Sequence, residues 1–73
     1  MDKLDNVMTV TINNYGEEVN ITAPAWLLND ISLAYSYWAK YCESKVYMDA
    51  LRDTAENIST QIYEQLKDAG LYE

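Results

Sequence analysis

Seventy-three residues carry twelve acids against five bases and no histidine, a net charge of −7 at pH 7. That balance disfavours direct contact with nucleic acid or an anionic membrane, and the length leaves room for one domain only. Cys42 is the single cysteine, so an internal disulfide is excluded, and a zinc site lacks a ligand set.

The first element is a β-hairpin over about residues 7–22. Met8, Val10 and Ile12 alternate with Thr9 and Thr11, and Val19 and Ile21 alternate with Glu18, Asn20 and Thr22. Period-two alternation around Asn13-Asn14-Tyr15-Gly16 marks two strands and a turn. A four-residue loop would set Ile12 opposite Glu17, Val10 opposite Val19 and Met8 opposite Ile21, with every large aliphatic on one face. Gly16 suits a positive φ.

A helix follows over about residues 24–43. Pro24 fits its first position and Thr22 lies close enough to cap it. Leu27, Ile31, Ala34/Tyr35, Trp38 and Tyr41/Cys42 recur at the three-four spacing of one helix face, which makes them its expected core stripe. Tyr35, Tyr41 and Tyr47 are expected at the core edge with their hydroxyls near water, and Tyr15, Tyr63 and Tyr72 outside it. A second stripe, Trp26, Leu33 and Tyr37, lies more than 100° away. Either the hairpin covers it, or it is an exposed aromatic patch for self-association or a partner.

The second helix covers about residues 46–69, with Met48, Leu51, Ala55, Ile58, Ile62, Leu66 and Ala69 on one face. Gly70 and Leu71 supply a Schellman stop, and Lys67 suits the last turn. As one continuous helix, the two core stripes would sit about 130° out of phase at 100° per residue. A break near Ser44, which can cap the second helix, removes the conflict. The expected architecture is therefore α+β of ββαα order, a two-stranded hairpin on an antiparallel helical hairpin. A continuous helix in an intertwined dimer is the alternative.

The inventory argues against catalysis. There is no histidine base, no partner that would activate Cys42, no glycine-rich phosphate loop and no cofactor motif. The informative pattern is charge: residues 1–22 carry −3, residues 23–45 are neutral and residues 46–73 carry −4. Asp49, Asp53, Glu56, Glu64 and Asp68 line the outer side of helix two, and Glu17 and Glu18 stand at the hairpin tip. Such a row is either an ordinary solvated face or an imitation of a phosphate backbone, docked on a basic surface of a larger protein.

In size, charge and lack of catalytic equipment the chain is similar to phage and mobile-element accessory proteins, the anti-CRISPR inhibitors among them, although no motif is shared. The expected function is a non-catalytic acidic inhibitor or nucleic-acid mimic. The alternative is a homodimeric structural or regulatory module using Trp26, Leu33 and Tyr37 or an open hairpin edge. No apolar run approaches the roughly 18 residues of a membrane span, and Met1 to Asp5 has neither the basic start nor the apolar run of a secretory signal. The expected setting is the cytoplasm, that of the host if the chain is phage-encoded.

Overall fold

The computed structural model of the chain describes residues 3–14 and 16–71. A 3-10 turn over Lys3–Asp5 leads into β1 (Val7–Asn14), which pairs antiparallel with β2 (Glu17–Pro24). Asn14 faces Glu17, Ile12 faces Val19, Val10 faces Ile21 and Met8 faces Ala23. The connection is thus two residues long instead of four, and β2 is displaced by two positions from the expected register. A slip of two preserves facing, so Met8, Val10 and Ile12 still share one buried face. What changes is the partner of each: small Ala23 closes on Met8, and Val19 moves to the half-exposed tip. Gly16 adopts φ +88°, the left-handed conformation that two-residue hairpin turns demand. Its N–H donates to Asn13 Oδ1 at 3.0 Å.

On the outer face of the sheet the Thr9 and Thr22 hydroxyls share a hydrogen bond of 2.7 Å, and the Thr11 hydroxyl donates to Asn20 Oδ1 at 2.8 Å. Thr22 is therefore a cross-strand partner and not a helix cap.

The strand runs straight into α1 (Ala25–Lys40). Pro24 occupies the N-cap position, one earlier than expected, with no side-chain cap. The Ala25 N–H donates instead to Asn6 O at 2.8 Å, satisfying one of the donors that a helix start leaves free. α1 stops at Lys40, three residues before the expected end. α2 (Lys45–Asp68) starts behind Ser44, whose hydroxyl accepts from Tyr47 N at 3.4 Å. The break near Ser44 is present, and the continuous helix is excluded. At the far end Gly70 takes φ +76°, while Leu71 N donates to Leu66 O at 2.9 Å and Gly70 N to Lys67 O at 3.0 Å. These two bonds form the Schellman motif read from the sequence.

Leu51, Ala55, Ile58, Ile62 and Leu66 are the buried face of α2. Part of this face joins Met8, Val10, Ile12, Ala23, Ala25 and Leu28 in one apolar cluster. On α1 the expected core stripe is corrected. The buried residues are Ala25, Leu28, Ser32 and Ala39, with Ile31 and Tyr35 half-buried, whereas Leu27, Ala34, Trp38 and Tyr41 are exposed. The cause is close approach of the helices. Small residues recur every seven positions at 25, 32 and 39, and Ser32 Oγ donates to the backbone O of Ala55 at 2.8 Å. A large ring at those positions would hold the helices apart. Cys42 sits half-buried in the connection, its Sγ 3.6 Å from Ser44 O.

The middle of the free edge of β1 is covered by side chains of α2. Gln61 Oε1 accepts from Thr11 N at 2.8 Å while its Nε2 donates to Thr11 O at 2.8 Å, imitating a further strand. Gln65 Nε2 donates to Thr9 O at 2.8 Å. These bonds fix the hairpin along α2 as well as blunting its edge. β2 keeps the open edge, with a charge at Glu18 and no donor at Pro24. Replacing Gln61 with Ala strands both Thr11 backbone groups, and urea unfolding should show a loss of about 1–2 kcal/mol. An unchanged midpoint would mean the amide clamp contributes nothing.

Candidate functional site

α2 is the long axis of the molecule. Its 24 residues span about 36 Å at 1.5 Å per residue, against a greatest dimension of 40 Å. Two unlike surfaces result, an aromatic one on α1 and an acidic one on α2.

Trp26, Leu33 and Tyr37 all lie open on the outer side of α1, at 47%, 47% and 59% exposure. The hairpin does not cover them, because it packs on α2 and on the opposite side of α1. At 100° per residue Tyr37 stands about 180° from buried Leu28. Beside this stripe lie Leu27, Ala34, Trp38 and Tyr41, so the exposed apolar face is wider than the sequence reading had it. Lys40 Nζ lies 5.7 Å from the centre of the Tyr37 ring, within cation–π range.

The expected acidic residues of α2, Asp49, Asp53, Glu56, Glu64 and Asp68, are all exposed, as are Glu17 and Glu18 at the hairpin tip. Asp53 and Glu56 also border something the sequence did not reveal. A cleft of about 380 Å³ is lined by Ile12, Asn13, Tyr35, Trp38, Tyr47 and Ala50 with Leu51 and Thr54. Ile12, Asn13, Ala50 and Thr54 are shared with an adjoining hollow of about 240 Å³ that reaches Asp53 and Asn57. A shallower depression continues over Asp53, Glu56, Asn57 and Thr60. Aromatic rings thus stand at one end of a groove and carboxylates at the other.

The aromatic end is built by Trp38. Its ring stacks on Tyr35 at 6.1 Å and 27°, and meets Tyr47 edge-on at 5.7 Å and 77°. Tyr47 is brought there by the Ser44 cap, which starts α2 beside the end of α1. Tyr35 and Tyr47 are half-buried as expected for a core edge, but Tyr41 is 83% exposed and belongs to the open face of α1. Tyr63 is exposed. Tyr15 and Tyr72 lie outside the described residues. Periodicity assigned Trp38 to the core and so concealed the groove.

Among the described residues no group of three or more Cys, Asp or Glu side chains is placed to hold a metal ion, and no helix is long and apolar enough to cross a membrane. No protein-family model, curated protein or solved structure matches the chain.

Half-exposed Trp38 contributes less to stability than fully buried Leu28. Trp38→Ala should cost about 1–2 kcal/mol through its two ring contacts, and Leu28→Ala about 2–5 kcal/mol. Chemical denaturation of both variants checks the order, and a reversal would place the Trp38 ring inside the core.

Proposed function

We propose that the chain is a non-catalytic binding module that docks its acidic α2 face on a basic surface of a larger protein, in the manner of a phage- or mobile-element-type inhibitor acting in the host cytoplasm. The observation that carries this reading is the groove itself: rings of Tyr35, Trp38 and Tyr47 at one end and carboxylates of Asp53 and Glu56 at the other. Lys and Arg suit both ends, because a cation is attracted to an aromatic face and to a carboxylate alike. The net charge of −7 draws a basic partner from a distance and repels an acidic one.

Charge spacing narrows the proposal. Asp49 to Asp68 places five carboxylates over about 28 Å of helix, near one per 7 Å. Duplex DNA carries one charge per about 1.7 Å, and Lys67 interrupts the row between Glu64 and Asp68. The face is too sparse to reproduce a duplex, and a basic protein groove is the better fit. Glu17 and Glu18 extend the acidic surface at the hairpin tip and are secondary to the groove.

An oligo-arginine peptide is a suitable probe, followed by amide chemical shifts. Perturbations should centre on Asp53, Glu56, Asn57 and Thr60 and on the Trp38 indole. They should vanish as salt shortens the Debye length from about 30 Å to about 3 Å. The double variant Asp53→Lys, Glu56→Lys should weaken binding at least tenfold. Shifts spread evenly over all acids, or binding indifferent to salt, would contradict the proposal.

A further inference from the structure

We infer that the outer face of α1 is the interface of a two-fold homodimer, α1 packing antiparallel on the α1 of a second copy. This inference is independent of the acidic groove. α1 carries large apolar residues on its outer side as well as its inner one, separated on one flank by exposed Asn29, Ser36 and Lys40; an apolar side is stable when covered, and the fold covers only the inner one. Taking roughly 200 Å² for a fully exposed aromatic side chain, Trp26, Tyr37 and Tyr41 alone leave about 380 Å² of ring surface in water.

The total surface is also larger than that of a compact monomer, in part because the molecule is elongated, 40 × 23 × 18 Å. An accessible area of 5375 Å² exceeds by about 760 Å² the value of about 4,600 Å² typical of a compact 8.4 kDa monomer. Each partner in a standard interface buries about 800 Å².

Charge selects a second copy as the occupant and α1 as the place. Two chains of −7 repel wherever α2 or the hairpin tip approaches its counterpart, but Ala25–Lys40 holds one acid and one base. The order of those two residues is self-complementary. A two-fold axis at the level of residue 35 sets Asp30 of each copy opposite Lys40 of the other, and Leu33 of each opposite Tyr37 of the other. Residue i meeting residue j while j meets i is the requirement of an isologous interface. The competing route, strand pairing, is obstructed at β1 by Gln61 and Gln65 on Thr9 and Thr11 and at β2 by Glu18 and Pro24.

Sedimentation equilibrium over a wide concentration range, with two exposed charges exchanged, tests the inference. The wild-type chain should dimerise. Asp30→Lys alone sets cation against cation at both ends of the interface, and Lys40→Glu alone sets anion against anion. Each should raise the dimer dissociation constant at least tenfold, and the double exchange should return it to within a few-fold of wild type. Leu33→Glu should give a monomer that keeps its helical circular dichroism, because Leu33 lies outside the core. A wild-type chain that stays monomeric throughout overturns the inference, and so does a dimer indifferent to these substitutions or a double exchange as weak as the single ones. If a different protein normally fills this face, the purified chain will be monomeric, which is the overturning result.

Discussion

One apolar face of α2 has to hold two unlike layers in place. Leu51, Ala55, Ile58, Ile62 and Leu66 are the longest buried row among the described residues, and both β1 and α1 pack on it. Seventy-three residues do not supply a second such row. The layers therefore sit side by side on α2 instead of enclosing one another, and each keeps an uncovered surface. The Gln61 amide clamp holds the hairpin in its lane. Close packing at Ser32 and Ala55 holds α1 in the other.

The distribution of side chains follows from that arrangement. α2 covers itself on one face only, so its opposite face is free to carry charge. α1 meets α2 through small residues; of its large ones Leu28 enters the core and Ile31 and Tyr35 pack at its edge, while the others point elsewhere. Trp38 turns toward Tyr35 and Tyr47 at the join of the helices, while Trp26, Leu33 and Tyr37 point away from the molecule altogether. A chain with an acidic side and an aromatic side can engage two different partners without competition between them. The proposed partners are a basic protein and a second copy.

Much of the architecture was legible because it is written in local signals. Alternation across Met8, Val10 and Ile12, the cap at Ser44 and the Gly70-Leu71 stop each act within a few residues. The hairpin register and the core side of α1 were not legible, for different reasons. A slip of two leaves the alternation unchanged, so only the turn distinguishes the registers. On α1, large apolar residues occur on all sides, and size pointed to Leu27, Trp38 and Tyr41. The actual seam is marked by the small residues Ala25, Ser32 and Ala39. Their seven-residue repeat was present in the sequence, but it signals close helix approach only once α2 is known to be the neighbour. The acidic residues of α2 were readable as an exposed row; their connection to an aromatic cleft depends on the turn at Ser44 and on the hairpin, whose Ile12 and Asn13 line both hollows.

The central claim is that α1 has two working faces, an inner one of small residues against α2 and an outer one of large residues against its own copy. Isotope-filtered nuclear Overhauser spectroscopy on an equal mixture of labelled and unlabelled chain tests this directly, because it reports only contacts between molecules. Cross-peaks from Leu33 methyl groups to Tyr37 ring protons are expected, with none from Val10 or Leu28. Intermolecular cross-peaks arising from the hairpin, or from residues of the inner α1 seam, would contradict the division of α1 into these two faces.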